Sequence, residues 1–197
     1  MAGLSVQAEL LRTAGDMFHY PDHNNLADLQ AGLNRLSDWA ITIDGYQEDN
    51  SRADAAGDLI PLQVDYTALF INAFPATRAH PFAGWYYGDS LIMGSSDRKM
   101  RQFYARCGME CDDLQIPADH IMVELEFLAL MAERYQATGD VVFHQAMREM
   151  MHQHMEPWVF RFLEKIKESA QTDFYQRLAA AMFVLFKELT VQVKEVA

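Results

Sequence analysis

The chain has 197 residues, half of them hydrophobic, and a formal net charge of −12. That describes one domain spanning residues 1–197, long enough to bury a real core and too apolar for a disordered chain. The acidity argues against nucleic acid, which needs a basic face, and against anionic lipid surfaces, but it suits a basic partner such as a Lys/Arg-bearing peptide or simply keeps the protein soluble.

No segment has the roughly 20 uninterrupted apolar residues of a membrane span. The start, Met1-Ala2-Gly3-Leu4-Ser5, lacks a positive region followed by an apolar run, so no signal peptide is visible. Cys107 and Cys111 are spaced C-x3-C, which is neither a redox nor a zinc-ribbon pattern, and they read as free thiols. A cytoplasmic protein is expected, without stable membrane insertion.

Taken in chain order, apolar residues recur at i, i+3/i+4 and i+7 almost throughout. Leu4, Ala8, Leu11, Gly15 and Phe18 make one face, and Leu26, Leu29, Leu33, Leu36 and Ala40 the next. Leu62, Tyr66, Leu69 and Ala73 follow, then Met100, Phe103 and Cys107. Ile121, Leu125, Leu128, Ala132 and Tyr135 continue the pattern, then Phe143, Met147, Met150, Met151 and His154. The last faces are Val159, Phe162 and Ile166, and Phe174, Leu178, Met182, Leu185 and Leu189. Breaks are expected at Tyr20-Pro21-Asp22, Asp44-Gly45, Gly57-Asp58, Thr138-Gly139-Asp140, Glu156-Pro157 and around Gln171. Few segments alternate with period two and none is bracketed by hairpin turns. The pattern predicts an all-α, single-domain helical bundle. Its centre is a buried helix over about 119–136, apolar on nearly all sides and interrupted only by Glu124 and Glu126.

Phe74 to Ser96 reads as the one long irregular stretch, with Pro75, Pro81, Gly84, Gly88 and Gly94 among the aromatics Phe82, Trp85, Tyr86 and Tyr87. So many aromatics argue against disorder. Such a loop either lines a peptide- or ligand-binding groove or caps one end of the bundle.

The chemical candidates are few. There is no phosphate-binding glycine loop, no dinucleotide fingerprint and no nucleophile elbow. A carboxylate-bridged di-metal site would need Glu-x-x-His on two helices plus two further Glu. Glu149-x-x-His152 fits once and Asp16-x-x-His19 imperfectly, with Glu124 and Glu126 as remaining ligands; Glu149 and His152 read better as a solvated face. The Met147, Met150, Met151, Met155 stripe reads as core packing. The richest segment is Pro117-Ala118-Asp119-His120, at the mouth of the central helix. There Asp119 could cap the helix, and His120 and Glu124, at i and i+4, could hydrogen-bond on one face.

Four motifs in order resemble the TorD/DmsD/NarJ-type redox enzyme maturation proteins, cytoplasmic chaperones of molybdenum-cofactor oxidoreductases. Tyr66-Thr67-Ala68-Leu69-Phe70 matches the family's aromatic-x-x-L-F motif. Ile116-Pro117-Ala118-Asp119-His120 matches its E-P-x-D-H motif except that Ile116 stands where the family has Glu. His154 to Phe162 looks like its H-x-x-P-W-x-x-R-F segment, and the aromatic stretch before Gly94 resembles its loop.

The resemblance spans about Leu4 to Leu189. It implies a helical bundle with no catalytic activity; no cofactor is expected, and no metal, because Glu-x-x-His occurs cleanly only once. It implies as partners the apo form of a molybdopterin oxidoreductase catalytic subunit and its twin-arginine leader, held until the cofactor is inserted and premature export is prevented. The expected peptide-binding residues are Pro117, Asp119, His120, Glu124, Tyr66, Leu69, Phe70, Trp85, Tyr87, Trp158 and Arg161. Asp119 and Glu124 would supply charge for two guanidinium groups, and the aromatics an apolar wall. Some relatives are said to bind guanine nucleotide, but no phosphate cradle is visible here. Either a monomer or a helix-swapped dimer is compatible with such a bundle.

Overall fold

The structure, a computed structural model, describes residues 3–44, 58–73, 76–89, 92–109, 111 and 115–195. The expected breaks at Gly45 and Gly57, and Phe74 and Pro75 at the start of the aromatic stretch, lie outside the described residues. The helices are α1 (Gly3–Asp16), α2 (Leu26–Asp44), α3 (Leu59–Tyr66), α4 (Ala83–Tyr87), α5 (Ser95–Arg106), α6 (Ile121–Thr138), α7 (Val141–Glu149), α8 (Glu156–Ser169) and α9 (Asp173–Glu195). Among the described residues there is no strand; one antiparallel bridge pairs Phe82 with His120. The chain is all-α, as its periodicity predicts.

The residues group into two compact units, 1–15 with 81–159 and 192–197, and 16–80 with 160–191. In the first unit, α6 buries one face. Ile121, Leu125, Leu128, Ala129, Met131 and Ala132 are fully shielded from water. Each large apolar side chain on that face contributes about 1.5–3 kcal/mol. Phe127 of α6 meets Phe103 and Tyr104 of α5 with ring centroids 5.1 and 4.9 Å apart. The stripe Met147, Met150, Met151 and Met155 is buried, as core. On the outer side, Arg12 of α1 bonds both Glu126 and Glu133 of α6, its Nη2 donating to Glu133 Oε2 at 2.8 Å. This pairing places Glu126 at the surface, in contrast to Glu124 two residues earlier.

In the second unit, Phe18, Phe70, Phe162 and Tyr175 form an aromatic cluster with centroid separations of 5.5–6.1 Å. Leu29, Leu33 and Leu36 of α2 and Leu178, Met182, Leu185 and Leu189 of α9 are buried. Asp65, only 3% exposed, holds the start of α9: its Oδ2 accepts from the Gln171 and Thr172 N–H groups at 3.0 and 2.8 Å and from the Thr172 hydroxyl at 2.7 Å.

Two local expectations are corrected. The chain does not break at Glu156-Pro157. Residues Met150–Met155 form a π-helical segment that joins α7 to α8 without interruption, and the Glu156 N–H bonds back to the Met151 carbonyl. A wider turn before the proline accommodates a residue that lacks an N–H and crowds the preceding turn of an α-helix. The buried helix spans Ile121–Thr138, not about 119–136. It starts later because His120 is its N-cap, and it runs on until Gly139 at φ +69°, a backbone value glycine takes without strain.

Candidate functional site

The aromatic stretch and the mouth of α6 are locked together by main-chain and carboxylate bonds. The Ile121 N–H donates to the Pro81 carbonyl at 2.8 Å and the Ala83 N–H to the Asp119 carbonyl at 3.0 Å. The Gly84 N–H donates to Asp119 Oδ2 at 2.8 Å, with both residues buried. Glycine leaves room at position 84: a Cβ there would sit 3.1 Å from the carboxylate oxygens of both Asp119 and Asp89, which would have to shift by a few tenths of an ångström.

Two further carboxylates extend the frame. Asp89 accepts from the Ser95 hydroxyl at 2.7 Å and the Ser96 N–H at 2.8 Å, at the start of α5. Asp97, buried on α5, accepts from the Ala118 N–H at 2.7 Å and from Arg101 Nε at 3.0 Å, and the Tyr104 hydroxyl donates to the Ala118 carbonyl at 3.0 Å. The segment 117–120 is thus held from α4 on one side and α5 on the other.

His120 stands outside the helix, at φ −79° and ψ 141°, and its Nδ1 accepts the Met122 N–H at 3.2 Å. The cap expected of Asp119 is therefore made by His120, because the Asp119 side chain is taken by Gly84. The side-chain hydrogen bond considered between His120 and Glu124 does not form. The Glu124 N–H bonds the His120 carbonyl at 3.1 Å, but the His120 Nδ1 is taken by the Met122 N–H.

Glu124 lies beneath this frame and is completely shielded from water. Neither of its carboxylate oxygens has a hydrogen-bond partner of good geometry. Burial holds its carboxyl well above the ordinary range, and the charge of Asp119 pushes it further, against the favourable Trp158 indole N–H. Asp119 is also raised by burial, opposed by the Gly84 N–H. The Tyr87 hydroxyl, pushed up to about 12 by burial with Glu124 and Asp119 adding to it, donates to the His154 carbonyl at 2.9 Å. Burial lowers the basicity of His154, whose Nε2 is buried without a hydrogen-bond partner. A cavity of about 290 Å³ opens here, with Glu124 and His154 at its floor and Tyr87, Lys99 and Gln153 around it.

The residues expected to bind peptide are distributed unevenly. Pro117, Asp119, His120, Glu124, Trp85, Tyr87 and Trp158 all belong to the first unit, whereas Tyr66, Leu69, Phe70 and Arg161 belong to the second. Trp85 and Tyr87 are about half exposed, at 52% and 49%. Pro117 and His120 are half-buried. Trp158 is fully buried and packs its ring 5.4 Å from that of Tyr86. Leu69 and Phe70 are core residues of the second unit, set by a π-helical turn over Thr67–Ile71. The half-buried Tyr66 donates its hydroxyl to the Phe18 carbonyl at 2.9 Å. Arg161 is exposed on α8. Leu69, Phe70 and Trp158 thus present no open wall. Asp89, Asp97, Lys99 and Gln153 carry no sequence signal, and Gly84 only that of the aromatic stretch. Among the cavity residues, His154 and Pro157 stand in the H-x-x-P-W segment and Met100 on a helical face.

The di-metal alternative finds no support. Among the described residues no three His, Cys, Asp or Glu side chains gather to hold a metal. Glu149 pairs with Arg106 at 2.7 Å, His152 with Glu156 at 2.7 Å, and Glu126 with Arg12. Glu149 and His152 are half-buried, not on a fully solvated face. Cys107 and Cys111 form no disulfide.

Comparison with known proteins follows the same lines. The profile of the family described as nitrate reductase delta subunit matches residues 22–164. The chaperone protein TorD of Vibrio parahaemolyticus is 26% identical over 167 residues, covering 80% of this chain and 76% of that protein. A Haemophilus influenzae protein named probable Tat proofreading chaperone DmsD is 25% identical over 177 residues, covering 85% and 82%. A crystal structure of a candidate redox enzyme maturation protein from Archaeoglobus fulgidus superposes with a TM-score of 0.51 at 22% identity, covering 96% of this chain and 94% of that one. The last likeness concerns the fold alone.

Proposed function

The chain belongs to the nitrate reductase delta subunit family, and on that premise we propose that it is a cytoplasmic chaperone that binds the leader of an apo molybdenum-cofactor oxidoreductase. It is a maturation chaperone and not an enzyme, in keeping with relatives named TorD and DmsD. No described helix is long and apolar enough to cross a membrane.

The observation that carries the site assignment is the acceptor-rich cavity under an aromatic rim. Buried Glu124 and half-exposed Tyr87 line it together, beside the braced Asp119–His120 mouth of α6. A leader with two guanidinium groups followed by an apolar stretch is complementary to carboxylates next to aromatic surface. The net charge of −12 steers such a basic peptide inward.

The test has two stages. The tagged protein is recovered from its native cell under anaerobic growth and the captured oxidoreductase identified by mass spectrometry. Its synthetic leader is then titrated beside a version in which both arginines are lysine. The reading expects a molybdenum enzyme precursor in the capture and weaker binding of the lysine version. A capture without such a precursor, together with a leader that does not bind, would overturn it.

A further inference from the structure

We propose that Glu124 is the acceptor for one leader guanidinium and that its seating drives the Glu124 proton into solvent, so that leader recognition is coupled to proton release. This rests on the leader-binding reading above and adds the receiving residue and a linkage to pH.

The geometry comes first. Two residues lining the cavity carry buried polar atoms with no hydrogen bond of good geometry: the Glu124 carboxyl, which the Trp158 indole N–H only approaches, and His154 Nε2. Buried polar atoms in native structures are nearly always satisfied, so two of them on residues lining one cavity point to a ligand that satisfies both. A guanidinium presents five N–H donors in a planar fork that matches a carboxylate with two bonds, while neutral imidazole accepts a further one. An apolar side chain would leave both atoms unsatisfied.

The groups around Glu124 set its charge. Asp119 faces it from the turn before α6, Tyr87 from α4, Lys99 and Tyr104 from α5, His154 from the π-helical segment and Trp158 from α8. Asp119 disfavours a second negative charge. Lys99 is exposed and its charge is screened. His154 is kept neutral by burial. The empty cavity therefore favours the protonated acid. An arriving guanidinium reverses the balance: the Glu124 O–H bond breaks, its proton goes to buffer, and the carboxylate so formed accepts the guanidinium N–H groups. Charge in the cavity is unchanged by the exchange of one proton for one guanidinium, so the ion pair forms without adding net charge to a buried site.

The test is calorimetric titration of the full-length protein with the synthetic leader of the captured client, in buffers of different ionisation enthalpy, between about pH 5 and 8. The expectation is about one proton released per leader bound to the wild type, with affinity rising as pH rises through the Glu124 transition. Glu124→Gln should abolish the release and weaken binding by about tenfold or more. Glu164→Gln, which removes an exposed carboxylate of α8, should change neither. Infrared difference spectroscopy of the wild type supplies a readout independent of any variant: the protonated-carboxyl band of the unliganded protein should vanish on binding. A leader that binds with no proton exchange, with proton uptake, or with the same exchange in Glu124→Gln overturns the proposal and leaves leader binding standing. A leader that does not bind overturns both.

Discussion

Alanine at position 119 separates a structural bond from a binding role. Asp119 is 3% exposed and its Oδ2 accepts the buried Gly84 N–H at 2.8 Å. Asp119→Ala leaves that N–H without a partner but keeps the main-chain bond from Ala83, which uses the Asp119 carbonyl. A hydrogen bond to a charged acceptor is worth about 1.5–3 kcal/mol. Removing the carboxylate also relieves a group that burial holds above its ordinary range, which offsets part of that loss. A net cost of about 1–2 kcal/mol follows, a fall in Tm of about 2–8 °C for a chain of 197 residues. Asp119→Asn retains an oxygen for the Gly84 N–H and should recover most of this. Leader binding should respond differently. If the carboxylate pairs with a leader arginine in a partly desolvated site, both variants lose about 2–5 kcal/mol, at least about thirtyfold in affinity. His120→Ala, which loses the α6 cap, should cost about 1 kcal/mol of stability and also weaken binding. Thermal melts beside peptide titrations decide it. If Asp119→Ala melts well below the wild type while Asp119→Asn binds leader with unchanged affinity, the charge has no part in recognition and the residue is a bracket only.

Asp65→Ala should lower stability by about 2–4 kcal/mol in chemical denaturation, since two backbone N–H groups and a hydroxyl at the start of α9 lose one shared acceptor. Wild-type stability should fall relative to Glu124→Gln as pH rises: the fold holds this carboxyl above its unfolded value, so its contribution is complete in acid and is lost through the raised pKa. Melts of both proteins across pH check this, and a constant difference would contradict it. Leader affinity should weaken with added salt but retain a residue from apolar contact, because only the steering part is screened, within about 8 Å at physiological ionic strength; calorimetry across a salt series that stays flat removes the electrostatic argument. Elemental analysis of the purified protein should find no stoichiometric metal, and about two iron, manganese or zinc atoms per chain would revive the di-metal reading.

The helices were legible because burying one face of a helix forces a 3.6-residue period into the sequence, and Gly139 and Pro21 punctuate it. The joins were harder. A proline reads as a stop, yet at Pro157 the preceding π-helical turn absorbs the missing N–H and the helix continues. The five-residue α4 is too short and too rich in aromatics to show any period, so its sequence reads as loop. The bridge between Phe82 and His120, and the bond between Gly84 and Asp119 across 35 residues, are long-range pairings that no local pattern encodes.

The motif residues divide along the same physical line. Leu69, Phe70 and Trp158 fill cores, packed against other side chains, so they offer an incoming leader no free apolar face. Asp119 and His120 are motif residues because they hold the turn into α6, one through Gly84 and the other through Met122. A binding role for them must therefore be argued over and above that task. Glu124 differs in kind. Burying a carboxyl with no hydrogen bond of good geometry costs stability, and packing gives no compensating return. A glutamine or leucine would serve the core better. The reason for a carboxyl at that point is then to be sought in what enters the cavity above it.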